Sequence, residues 1–258
     1  MPAPQVFHRY VAIGDSSTEG LDDPDGQGGY RGWANRLAAR IAAAQPSPLL
    51  YANLAVRGRT TRRIRDEQLG PAAAMQPDLV TLFTGTNDVV ALRFDAAAVA
   101  RDVAHMQRRL IAGGATVLGF TLPNLSPVLP LARPIAARVR ALNDALRSAA
   151  VASGALLVDF AQHAVGSDPR LWSPDRIHAN SAGHARIAAA LAWALGLPGT
   201  DESWSHPLPA APPRPWRTTL AAEIRWAYRY FVPWVWRHVR GRSEGDGRSP
   251  KRPRLTPV

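Results

Sequence analysis

Tyr10-Val11-Ala12-Ile13-Gly14-Asp15-Ser16-Ser17-Thr18-Glu19-Gly20 is the stretch from which the fold is read. An aromatic residue, two β-branched residues and an alanine run straight into a glycine, a carboxylate and two hydroxyls. A short, unbroken apolar run of this kind reads as a strand buried on both faces, as in a parallel sheet. The polar residues after it then occupy a loop at the strand's carboxyl end, where open α/β sheets carry their reactive groups.

Further along the chain the pattern repeats. Short apolar runs at 49–54, 79–83, 116–122 and 156–160 read as further strands, and Ala/Arg/Leu-rich segments near 31–44, 60–75, 95–112, 134–153 and 181–195 read as helices. Gly113-Gly114 and Gly154 stand where helix C-caps belong, and Pro134 suits a first helical turn. Strands alternating with helices predict a three-layer α/β/α sandwich with a five-stranded parallel sheet, flavodoxin-like in topology.

After Gly196 the character changes. The prolines at 198, 207, 209, 212, 213 and 215 make 197–215 a connector, and 216–240 reads as an amphipathic Trp/Arg-rich helix interrupted at Pro233. Residues 241–258, rich in Gly, Pro and Arg, read as a basic mobile tail. The division expected is therefore a domain over 1–196 followed by these three segments.

The 258 residues carry a formal charge of +11, but unevenly. Residues 204–258 hold ten arginines and Lys251 against three acids, a net of +8, which leaves +3 for the rest. Lys251 is the sole lysine, so the basic excess is arginine throughout and is no specific sign of nucleic acid; no nucleic-acid partner is expected. The chain has no cysteine, which excludes disulfides, thiolate metal sites and cysteine nucleophiles. The N-terminal residues contain no apolar h-region and no run of about 18 apolar residues occurs, so the expectation is a cytoplasmic protein.

Four polar blocks fall after strands: Gly14 to Gly20; Asn53 to Gly58; Gly85-Thr86-Asn87-Asp88; and Ser173-Pro174-Asp175-Arg176-Ile177-His178. Together they resemble the SGNH (GDSL-type) hydrolases. GDSSTEG is similar to the family's nucleophile block, GTND to its GxND block and Asp175-x-x-His178 to its DxxH block, with Gly58 where a lone glycine is expected. The resemblance covers residues 9–196. It implies Ser16 as nucleophile, His178 as base and then acid, and Asp175 as the residue orienting the imidazole. The backbone N–H groups of Ser16 and Gly58, with the Asn87 amide, would form an oxyanion hole. This agrees with the chemistry, because a serine hydroxyl needs a base, the base needs an acceptor behind it, and the developing oxyanion needs fixed donors.

Each residue also has a plainer reading. Ser16 could cap a helix, Gly58 could serve a turn, and Asp15, Ser17 and Asp88 could hold loops. His184 is the rival base. Tyr30, Trp33 and Trp172 could line a pocket or belong to the core. Gly26-Gln27-Gly28-Gly29 has no P-loop lysine and reads as a rim of the site. The remaining histidines show no ligand spacing, so neither a metal nor a cofactor is expected.

The function implied is hydrolysis of small carboxylic esters through an acyl-serine. A carbohydrate deacetylase or acyltransferase with the same triad is the alternative among enzymes, and a membrane-surface or nucleic-acid-binding protein acting through its tail is the alternative outside them. For residues 216–240, with Leu220, Ile224, Ala227, Phe231 and Val235 at helical spacing, the choices are self-docking onto the domain, a partner subunit or an anionic membrane surface.

Overall fold

The computed structural model describes residues 5–128, 135–210, 225–231 and 245–258. β1 (Arg9–Gly14) runs through the middle of a six-stranded sheet and is buried along its length except at Arg9. It is followed by a single helical turn, α1 (Ser16–Glu19), and by α2 (Gly32–Ala44). Then come β2 (Leu50–Asn53), α3 (Thr61–Ala74), β3 (Leu79–Phe83), the short α4 (Thr86–Val90) and α5 (Ala96–Ile111). The domain closes with β4 (Thr116–Phe120), α6 (Ala136–Ser153), β5 (Leu156–Val158) and α7 (Ser181–Ala194).

The strand order is β5-β4-β3-β1-β2 with all pairs parallel, and an antiparallel edge strand, β6 (Arg252–Pro257), lies beside β2. The chain leaves β1 for β2 on one side and returns past it to β3 on the other. With right-handed crossovers this reversal puts helices on opposite faces: α2 packs on α7, while α3 packs on α5 and α5 on α6. The core between these layers includes Tyr10, Ile13, Trp33, Leu37, Ile41, Ile64, Leu79, Met106, Leu110 and Leu118, each under 3 % exposed. Asp95 and Asn180 cap α5 and α7 by accepting from first-turn backbone N–H groups, and Gly154, at φ 80°, ends α6 in the left-handed conformation. Pro134 lies outside the described residues.

Two expectations need correction. The sheet has six strands, not five, because residues 252–257 of the segment read as a mobile tail pair with β2, Tyr51 opposite Thr256 and Asn53 opposite Arg252. Two prolines and two arginines hid this strand. On an edge a proline needs no ladder partner for its missing N–H, and charged side chains blunt the free side. Arg252 stacks 5.0 Å over the Tyr51 ring, and Lys251 Nζ donates to the carbonyls of Tyr30 and Arg31 at 2.9 and 3.0 Å.

The expected connector is also folded in its described part. Residues Glu202–Ser205 form a 3-10 turn, and Trp204 is buried against Phe160 and His163. Arg186 of α7 holds this turn by donating to the carbonyls of Trp204 and His206. Of the expected helix at 216–240, only 225–231 are described; the rest, including most of the apolar stripe, lies outside the described residues. Among the described residues no helix is long and apolar enough to cross a membrane.

Deleting residues 252–258 should expose the β2 ladder. The expected loss is about 2 kcal/mol, or roughly 4–8 °C in Tm, a few net hydrogen bonds and the packing of Leu255 less the entropy regained. Amide exchange of residues 50–53 should rise at the same time. An unchanged Tm with unchanged exchange would show that β6 adds nothing to the sheet.

Candidate active site

The site lies at the carboxyl ends of β1 and β3, where the strand order reverses. Gly14 is needed there for space, since a Cβ would meet Thr18 Oγ1 at 2.2 Å and the Phe83 carbonyl at 2.6 Å. The buried Gln68 side chain clamps this residue from α3, accepting from its N–H at 2.8 Å and donating to its carbonyl at 2.9 Å. Asp15 is fully buried and caps α1 through the Ser17 N–H. Ser16 is thus the first residue of a turn anchored from both sides. Ser17 Oγ accepts from the indole of Trp33, which is a core residue.

The second half of the site is the tight loop between Trp172 and Ala179, which form an isolated bridge. Ser173 N–H donates to the His178 carbonyl and Arg176 N–H to the Ser173 carbonyl. The Asp175 Oδ1 accepts from Ser173 Oγ and from the N–H groups of Ile177 and His178. Its Oδ2 lies 2.6 Å from His178 Nδ1, and His178 Nε2 lies 2.8 Å from Ser16 Oγ. The structure therefore brings Ser16, His178 and Asp175 into one hydrogen-bonded line across 162 residues.

Burial pushes the Asp175 carboxyl pKa upward, but the hydrogen bond and charge of His178, with Ser173 and the His178 N–H, outweigh it and hold it at about 2. For His178 burial pushes the pKa down, yet the hydrogen bond and charge of Asp175, reinforced by Asp22 and Asp15, bring the net above 6.5. With Asp175 ionised, the shared proton sits on Nδ1 and Nε2 accepts from the serine hydroxyl.

Asn87, in the first turn of α4, donates through Nδ2 to the Arg59 carbonyl at 3.1 Å and to Asp15 Oδ2 at 3.3 Å. Asp88 next to it accepts from Thr61 N–H and Oγ1, tying β3's loop to α3. Gly58 turns the β2 loop at φ 73°. That loop is fixed to the nucleophile turn by Glu19, which accepts from the Arg57 N–H and pairs with the Arg57 guanidinium. Tyr30 lies under that same guanidinium at 5.3 Å.

His184 occupies a different place. It is fully buried on α7, accepting from Trp33 N–H through Nδ1 and donating to the Leu21 carbonyl through Nε2. Asp22, in the acidic loop ahead of the rim at 26–29, sits at φ 65° with a carboxylate oxygen 3.8 Å from His178 Nδ1. Asp22, Asp175 and His178 place three potential cation ligands within 4.8 Å of one another, but a cation there would have to displace the Asp175–His178 hydrogen bond. The Trp226 indole donates to the Asp175 carbonyl. Neither Gln68 nor Trp226 lies in a polar block, and no local spacing marks them, whereas Glu19 and Ser173 lie inside the first and fourth blocks.

A cavity of about 90 Å³ opens beside Ser16 and His178. Its walls are mainly apolar: Phe83, Phe120, Leu122, Phe160, Val165, Leu171, Ile187 and Trp204, with Trp172 at its side.

Burial drives the His184 pKa down to about 4. Between pH 6.5 and 4 the unfolded chain binds a proton that the folded one refuses, so this contribution to stability is present above pH 6.5 and is lost as pH falls. The shift corresponds to about 3 kcal/mol. Denaturant unfolding at pH 7 and pH 4.5 should show a smaller pH-dependent loss in His184→Gln than in the parent, by on the order of 2 kcal/mol. Equal losses would mean that His184 is not held neutral.

Residues 12–186 match the profile of the GDSL-like Lipase/Acylhydrolase family. No curated protein matches the chain. Similar solved structures include LAE5, an alpha/beta hydrolase enzyme from the metagenome of Lake Arreo, Spain. It is 25% identical over 74% of this chain and 96% of its own, with a TM-score of 0.61. A lipase/acylhydrolase from Enterococcus faecalis is 20% identical over 73% and 96%, TM-score 0.61. A catalytic mutant of Axe2, an acetylxylan esterase from Geobacillus stearothermophilus, is 17% identical over 78% and 97%, TM-score 0.60. The last two establish likeness of fold alone. With the profile spanning more than half of its length, the chain belongs to the GDSL-like lipase/acylhydrolase family.

Proposed function

We propose that the protein is a serine esterase that hydrolyses carboxylic esters through an acyl-Ser16 intermediate. The observation that carries this reading is the line Ser16 Oγ, His178 Nε2, His178 Nδ1, Asp175 Oδ2, with spacings of 2.8 and 2.6 Å. Ser16 Oγ attacks the ester carbonyl carbon as its proton passes to His178 Nε2. The imidazolium is stabilised by the ionised Asp175. Charge on the former carbonyl oxygen is met by the Ser16 and Gly58 N–H groups and by Asn87 Nδ2, whose longer contact, to Asp15, is the one that turns toward the oxyanion. His178 then returns its proton to the leaving alkoxide. A water attacks the acyl-serine, giving the carboxylic acid and free Ser16.

The apolar cavity supports an aliphatic acyl group over an acetyl group alone, because its aromatic walls gain from burying methylenes at about 0.8 kcal/mol each. This favours an esterase of acyl chains over a carbohydrate deacetylase. An acyltransferase would use the same steps with an alcohol in place of water, which product analysis separates.

Two outcomes follow. Ser16→Ala should abolish the fluorophosphonate adduct and lower kcat by several orders of magnitude, and kcat/KM of the parent should fall on an acid limb whose midpoint lies above pH 6.5. An adduct that persists in Ser16→Ala would overturn the assignment. Across p-nitrophenyl esters, kcat/KM should rise from acetate to a longer acyl chain, and Val165→Trp should move the optimum back toward acetate. A maximum at acetate in the parent would favour the deacetylase.

A further inference from the structure

In the described stretch 225–230 one side chain is fully covered. Trp226 is 5% exposed, whereas Tyr228 is 80% exposed. The Trp226 indole N–H donates to the Asp175 carbonyl at 3.0 Å, and the Arg176 guanidinium lies 5.0 Å over its ring. Asp175 and Arg176 form the corner of the loop that carries the acid–base pair. Arg176 is held there at φ 64°, a conformation that costs a side chain with a Cβ roughly 1 kcal/mol or more. Inside the loop, the Ser173 and Arg176 N–H groups and the Asp175 carboxylate have partners within the loop itself. The Asp175 carbonyl is instead fastened by a residue 51 positions away.

We propose that Trp226 is a positioning residue for the acid–base pair: by bonding the Asp175 carbonyl and stacking on Arg176 it fixes the loop corner and so the aim of the Asp175 carboxylate at His178 Nδ1. The C-terminal extension is thereby part of the working site. Its next described portion reinforces this, since Gly245 packs so closely on the Arg57 carbonyl that a Cβ would approach within 2.0 Å. The inference rests on the triad reading above, but its test does not depend on turnover alone.

The test uses the full chain with Trp226→Phe, which keeps a ring and removes the donor, and Trp226→His, which restores a ring N–H. The titration of the His178 imidazole is followed by NMR beside the kinetics of a p-nitrophenyl ester and the Tm. The charges facing His178 are Asp175 in its own loop, Asp22 and Asp15 on the nucleophile side, with His184 nearby. None of these is altered in Trp226→Phe, so a shift in its His178 titration reports alignment with Asp175; in Trp226→His the added imidazole titrates as well, and its resonances are followed separately. Trp226→Phe should lower kcat about 10-fold with KM within twofold, shift the His178 titration toward 6.5, and leave Tm within a few degrees. Trp226→His should recover most of both. A Trp226→Phe protein with parental kcat and an unshifted His178 titration overturns the proposal, as does equal loss in the His and Phe variants. If the parent is not labelled on Ser16 while the His178 titration still responds to Trp226→Phe, the esterase reading fails and the positioning role stands.

Discussion

β1 is hydrogen-bonded on both sides, to β2 and to β3, and is buried on both faces. Because the chain departs from it in opposite directions, the crossovers separate at its carboxyl end and leave a crevice there. The nucleophile turn fits that crevice only because position 14 has no side chain and because Gln68 satisfies both of its backbone groups. Asp15 then finds itself under the turn, facing Asn87 from the loop after β3. The triad geometry is a consequence of this arrangement. A histidine brought in from beyond β5 meets a serine whose position is already set.

The same low-dielectric surroundings act differently on neighbouring carboxylates. Asp15 is pushed up to about 7 by burial, against which the Ser17 N–H and the charge of His178 are insufficient. Asp88 is raised for the same reason, with Thr61 opposing. Asp175 experiences burial as well, yet its imidazole partner and the donors of its own loop hold it at about 2. Burial thus favours the protonated form of Asp15, whereas Asp175 is charged at neutral pH. Asp175 is the carboxylate bonded to the imidazole, and Asp15 serves mainly as a structural acceptor.

Among its described residues the C-terminal extension places Lys251, Arg252 and Trp226 in intramolecular contacts. Lys251 is buried enough to bring its pKa down to about 8, with its ammonium on the carbonyls of Tyr30 and Arg31. Arg252 stacks on Tyr51, Asp246 pairs with Arg59 and Arg63, and Trp226 reaches the Asp175 loop. These contacts reach the loops after β1, after β2 and before α7. A charge of +8 over the last 55 residues thus has a partly structural explanation.

By itself the sequence determined what short-range chemistry decides. Apolar runs marked five strands within two residues of their observed ends, Ala/Arg/Leu-rich segments marked the five long helices, and four polar blocks marked the loops that meet at the site. Those signals are local, since burial on both faces demands an unbroken apolar run and an Asp three residues before a His can reach it within one loop. Only the tertiary structure decided that Arg252–Pro257 completes the sheet, that Trp204 and Trp226 are buried, that His184 is a core residue, and that Asp22 stands beside the imidazole. It also decided which carboxyl group burial raises and which one its partners lower. Each of these depends on contacts between residues far apart in the chain, where a proline-rich edge strand or a docked tryptophan carries no periodicity and burial sets a pKa that composition cannot express.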